Sequence, residues 1–232
     1  MKKMCFSENY GLHKAVISGR KTHTRRVMPL SALAKIEAFQ QEYYEATFDH
    51  LDGIELLEQY YIVEKRGKLP FKVGDIVAVA QRYCSILDEL EDPKNFCCME
   101  HWESAKEKRA HYAGFLHHPG FTNKMFVDAD EMPHQIRIKR VWFEYLQDIS
   151  NEDCLKEGID KWTAQGKCYY GFFDYEKDVF SHHPTPRDAY AHLIDRISGK
   201  GTWASNPLVI AYEFEKVKTM EDIRHITDVA ER

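Results

Sequence analysis

The chain has 232 residues, 44% hydrophobic and 13% aromatic, enough for one large or two small domains with a core that needs no staples. Its formal net charge of −5 excludes the overall basic field of a protein that coats nucleic acid, so any polyanion must be met locally. The six cysteines form no CxxC and read as reduced thiols, no apolar run approaches the ~18 residues of a membrane span, and MKKMCFSENYG lacks a secretory core, so a cytoplasmic location is expected.

Along Phe6 to Gly19, Leu12, Val16 and Ile17 fall at helical spacing, with Ser7 as candidate cap and Gly19 as stop. GRKTHTRR follows, from Gly19 to Arg26. Arg20 and Lys21 suit a helix C-terminus, whose unpaired carbonyls carry partial negative charge, so a solvated helix end is the plain reading of this stretch. Leu30 to Leu69 is charged, and helical or irregular. Val73-Gly74-Asp75 reads as a turn and Ile76, Val77 and Val79 as a strand, whose interleaved Ala78 and Ala80 would let something approach one face closely.

Leu87 to Lys108 predicts partial helix, and HYAGF around Tyr112 a short strand. Cys97, Cys98 and His101 lie near His111, His117 and His118, but adjacent cysteines point apart in regular structure, so buried thiols are expected here and no metal. From His134 to Ile149, Ile136 and Ile138 alternate with Arg137 and Lys139, which predicts a half-buried strand. Strict alternation puts Glu144, seven residues past Arg137, on the opposite face.

Ser150 with Asp153 predicts a capped helix through Glu157, stopped by Gly158. Tyr169, Tyr170, Phe172, Phe173 and Tyr175 could stack bases or fold onto the core. Thr185-Pro186 with Asp188 opens another helix, closed by Gly199. Trp203 and Asn206 precede a last strand, Asn206 to Val217, buried on both sides at its centre. Separated strands without βαβ alternation predict an α+β fold with a mixed or antiparallel sheet, open or closed.

Four stretches in this order are GRKTHTRR at Gly19, KVGDIVAV at Lys72, IRIKRVWFEYLQDIS at Ile136 and WASNPLVIAYEFEKV at Trp203. Together they resemble the ASCH family of PUA-like β-barrels, especially a branch common in phage and prophage genes. The resemblance implies a single domain over 1–232, a PUA-like mixed or antiparallel β-barrel with a packed N-terminal helix and helical insertions at about 30–69 and 87–124. It further implies a cleft lined by Gly19, Lys21, Thr24, Arg25 and Arg26 that takes RNA or a nucleotide, without a cofactor. Some small members are similar to amidohydrolases acting on acetylcytidine, in which the residues matching Lys21 and Thr24 work with a glutamate on a later strand.

Here that glutamate position holds Arg137, and Gln81 stands where the phage branch often carries glutamate. Both replacements make the implied cleft more positive and add Arg137 and Gln81 to its ligand-binding set. Three functions stay open. The first is RNA or nucleotide binding through a basic cleft in which Lys21 and Arg137 converge. The second is amide hydrolysis on an acylated nucleoside, with Thr24 as nucleophile and Lys21 as a base of depressed pKa. The third is a protein-interaction module whose insertions, with acidic Asp88 to Asp92, meet a partner.

Overall fold

The computed structural model describes residues 1–47, 49–91, 99–164 and 166–217. In chain order it contains β1 (Lys2–Cys5), α1 (Leu12–Ile17), β2 (His23–Val27), α2 (Leu30–Thr47), α3 (Gly53–Glu58), β3 (Ile76–Ala80), α4 (Tyr83–Glu91) and α5 (Met99–Ala113). There follow β4 (Gln135–Tyr145), α6 (Asn151–Lys156), β5 (Asp160–Ala164), β6 (Lys167–Gly171), β7 (Phe173–Asp174), β8 (Val179–Phe180), α7 (Pro186–Ser198), α8 (Thr202–Ser205) and β9 (Leu208–Lys216). The fold is α+β, with a five-stranded mixed sheet. The chain divides into two compact units, Met1–Phe6 with Ile76–Ile136 and Lys216–Arg232, and Ser7–Asp75 with Arg137–Glu215.

In the first unit β1 and β3 pair in parallel, Lys2 opposite Val77 through Cys5 opposite Ala80. Ala78 and Ala80 are fully buried against Tyr83, Ile86, Tyr112, Val127 and Met132. The close approach their small side chains permit is therefore taken up by the core. HYAGF forms no strand: α5 runs through His111 and Tyr112, and Tyr112 sets its ring at a tilt 6.0 Å from that of Tyr83 and donates its hydroxyl to the Glu131 carbonyl. An aromatic on a helix buries as well as one on a strand, so the short apolar run left the element type open.

In the second unit β9 runs antiparallel to β2, with His23 opposite Glu213, Thr24 opposite Tyr212 and Arg25 opposite Ala211. Val209, Ile210, Ala211 and Tyr212 are all buried, as a strand covered on both faces requires. α1 is shorter than the apolar spacing suggests. It starts after Gly11 in the left-handed region and ends before Gly19 at φ +77. α6 and α7 begin where their caps predict: the Ser150 hydroxyl accepts from the Asp153 N–H at 3.1 Å, and that of Thr185 from the Asp188 N–H at 3.1 Å. Each such cap is worth about 1 kcal/mol.

The expected barrel is corrected. A barrel needs its two outermost strands paired; β1 is bonded to β3 and β2 to β9, and no pairing of β1 with β2 occurs among the described residues. The sheet is open.

Candidate functional site

β2 sorts its side chains by alternation. His23 and Arg25 share one face, and Thr24 and Arg26 share the other with their cross-strand partners Tyr212 and Ile210. Arg25 has a side chain only 1% exposed, and each guanidinium nitrogen has a carboxylate. Nε donates to Glu144, Nη1 to Glu157 Oε1 at 3.1 Å, and Nη2 to Asp153 Oδ2 at 3.2 Å. Lys21, 2% exposed, donates to Glu157 Oε2 at 2.6 Å, to the Glu157 carbonyl at 2.6 Å and to the His23 carbonyl at 2.7 Å.

Two buried cations thus face three carboxylates, with Lys156 also on Asp153 at 3.0 Å. Burial lowers the Lys21 pKa from its ordinary value, and Glu157 opposes that shift. For Arg25, burial works downward but is outweighed by Glu157, Tyr190 and Glu144, so the guanidinium is held charged. Tyr190 of α7 is buried beside this cluster; its hydroxyl has no hydrogen-bond partner among the described residues, and burial raises its pKa. Cys154, buried on α6, is pushed up to about 12 by the same desolvation.

A second group of charges lies on β4. Arg137, Lys139 and Arg140 have side chains 54%, 49% and 64% exposed. Arg137 and Lys139 approach Glu215 at 3.8 and 3.5 Å, and Arg140 approaches Glu213 at 3.9 Å. Glu213 and Glu215 are two apart on β9 and so share one face. Consecutive residues Lys139 and Arg140 can both reach that face only if the alternation of β4 slips by one residue between them, as a bulge does. The slip brings Arg140, Trp142 and Glu144 onto the face of Arg137, which overturns the expectation that Glu144 points the other way. Trp142 donates its indole N–H to Glu144 Oε2 at 2.8 Å. The Arg140 guanidinium lies 4.3 Å from the centre of its ring, and His23 meets it edge-on at 5.9 Å. Burial lowers the His23 pKa.

The structure distributes the expected site residues among several environments. Gly19 ends α1, its N–H on the Val16 carbonyl. Lys21 and Arg25 come together, in the buried cluster. Thr24 is buried but on the other face of β2, next to Arg26 in that row, so no route leads from its hydroxyl to the Lys21 ammonium. An ammonium that already donates all its N–H bonds is also no proton acceptor.

Gln81 belongs to the first unit, is fully buried, and donates from Nε2 to Glu89 Oε1 at 3.1 Å. The convergence of Lys21 and Arg137 on one positive pocket is corrected. Glu157, with Gly158 beside the Lys21 stem, closes Lys21 away, whereas the Arg137 side chain is 54% exposed. Asp92, Cys97, Cys98 and the His101 side chain lie outside the described residues. Among those described, no cluster of three or more His, Cys, Asp or Glu side chains is arranged to hold a metal ion, and no helix is long and apolar enough to cross a membrane.

Sequence reasoning missed Glu157, Asp153, Trp142 and Tyr190. One signal was legible: Asp153 and Glu157 are four apart at the end of a short capped helix and therefore share a side of it. No family model, curated protein or solved structure matches the chain.

Proposed function

We propose that the exposed face of β4 binds an unpaired strand of nucleic acid, RNA before DNA, as the likeness to ASCH and PUA-like modules suggests. One observation carries this reading: three exposed cations within four residues, Arg137, Lys139 and Arg140, share a sheet face with Trp142. Cations supply phosphate contacts and planar groups supply stacking, which together make a sequence-tolerant single-strand site. Arg140 contributes both, since its guanidinium lies 4.3 Å from the indole centre and its side chain is 64% exposed, which leaves room for a base to stack. The ion pairs to Glu213 and Glu215 are long and exposed, so phosphate displaces them at little cost. The buried cluster is then scaffold: Glu144 accepts from Arg25 and from Trp142 and fixes the indole.

Fluorescence anisotropy with a labelled single-stranded RNA of about 12 nucleotides tests this, because such sites span roughly 4–16. Binding should be salt-sensitive and weaken strongly on changing Arg137, Lys139 and Arg140 together to alanine. No binding at low ionic strength, or a triple variant equal to wild type, rejects it.

A second reading keeps Thr24 as nucleophile and Lys21 as base toward an acylated nucleoside, favoured by one finding, that burial lowers the Lys21 pKa against the pull of Glu157. It requires β2 to rearrange, since Thr24 lies on the other face. Acetate release from acetylcytidine, lost in Thr24→Ala, is its test; no release removes it.

A further inference from the structure

The β5–β6 hairpin is a two-stranded sheet of its own, with Trp162 directly opposite Tyr169 and Lys161 opposite Tyr170. The Trp162 and Tyr169 rings are 25° from parallel with centres 6.0 Å apart. Phe180 and His182 meet Trp162 edge-on at 4.2 and 5.1 Å. Trp162, Tyr169 and Phe180 are half-buried and His182 is exposed, so this cluster remains open to solvent in part. A cross-strand aromatic pair stabilises a hairpin, but that role needs two rings, and here four gather.

The charge beside them points to the occupant. Of the charged residues on the two strands, Asp160 is held by Arg20 at 2.6 Å, while Lys161 and Lys167 are exposed. Lys167, opposite Ala164, falls in the same row as Trp162 and Tyr169, whereas Lys161 lies 6.0 Å from the centre of the Tyr170 ring on the other face of the hairpin. Part-exposed rings with the Lys167 ammonium on their own face suit a ligand that is flat, apolar on its faces and anionic between them, which describes unpaired nucleotides.

We propose that the β5–β6 hairpin is a second base-stacking surface, taking nucleotides of the same strand that lies on β4. The inference rests on the nucleic-acid reading above. The β4 stripe from Arg137 onward and the hairpin both belong to the second compact unit.

The test compares a labelled oligouridylate of about 4 nucleotides with one of about 12, the span of single-strand sites. Trp162→Ala and Lys167→Glu should each weaken the longer oligonucleotide, the tryptophan change by about 5- to 150-fold as loss of one stacked base does, and leave the shorter one unchanged. Should Trp162→Ala unfold the hairpin, Lys167→Glu decides, because that side chain is exposed and its replacement leaves the fold intact. Longer-strand affinity equal to wild type in the lysine variant overturns the hairpin site while the β4 site stands. Wild-type protein that binds neither length overturns the β4 reading and this one with it.

Discussion

Glu157→Gln tests the claim that the residues around Lys21 are scaffold. The Glu157 side chain is 5% exposed and accepts from Lys21 at 2.6 Å and from Arg25 at 3.1 Å. The amide keeps the shape and one acceptor but removes the charge that offsets two buried cations. Breaking a buried pair by neutralising one partner costs about 3–5 kcal/mol, because the partner charge stays desolvated. Arg25 keeps Glu144 and Asp153, so the low end applies, about 3 kcal/mol. At roughly 2–4 °C per kcal/mol for a chain of this size, the melting temperature should fall by about 6–12 °C.

Urea unfolding with fitted slopes measures the same quantity, and a cycle with Lys21→Met isolates the pair. Lys21→Met also strands the His23 and Glu157 carbonyls, so it should be the more severe single change. The double variant should cost less than the two singles summed by about 1–3 kcal/mol. A loss below about 1 kcal/mol in Glu157→Gln, or strict additivity, would refute a desolvated and coupled pair. Oligonucleotide affinity should be unchanged in Glu157→Gln below its melting temperature; a loss there would place the cluster in contact with ligand.

Removing the competing carboxylates, in Glu213→Gln/Glu215→Gln, should tighten oligonucleotide binding at low salt; unchanged or weaker binding would count against the β4 stripe. In the triple alanine variant the slope of log affinity against log salt should flatten by about 0.7 per lost phosphate contact, read from a salt titration. Gly158→Ala should destabilise by more than about 1 kcal/mol, since φ is +104 and a Cβ would sit 3.0 Å from Leu12 Cδ2; a neutral change by thermal melting would reject that packing.

Stability should decline toward acid. Burial holds His23 and His183 below their ordinary pKa, so below about pH 6.5 the unfolded chain takes up protons that the folded one refuses. For Asp153, burial pushes upward but Lys156 and Arg25 prevail, so its pKa is lowered and its contribution is lost as pH falls through the carboxylate range. Asp160, raised by burial, runs against this across the carboxylate range alone. Urea midpoints that rise on acidification would contradict the sum.

What the sequence made legible was local. Caps at Ser150 and Thr185 and stops at Gly19, Gly158 and Gly199 depend on a few neighbouring residues, and they fall where the text puts them. The last strand announced its burial through apolar residues on both parities. Closure of the sheet was not legible, because alternation within strands says nothing of which strands end at an edge. The slip at Lys139–Arg140 was hidden for a related reason: the polar run Lys139, Arg140 fits one alternation as well as two offset ones, and only the partners Glu213 and Glu215 fix the phase. The buried state of Lys21 was invisible because its counter-charge comes 136 residues later, while the charged residues near it in sequence, from Lys14 to Arg26, are all cations.

Solvation, rather than clustering along the chain, decides which cations can serve an anion. Freeing Lys21 or Arg25 for a phosphate means breaking desolvated pairs, at about 3–5 kcal/mol each, before any contact is made. Freeing Arg137, Lys139 or Arg140 costs at most about 1 kcal/mol, the worth of an exposed pair. The difference, converted at 1.4 kcal/mol per decade, favours the β4 stripe by more than about tenfold. The buried group still bears on binding through Glu144, which accepts from both Arg25 and Trp142. With Arg25 fixed by three carboxylates, Glu144 cannot swing, and the indole it holds stays under Arg140. The basic stretch that stands out in the sequence thus acts on the ligand at one remove, by holding still the surface that meets it.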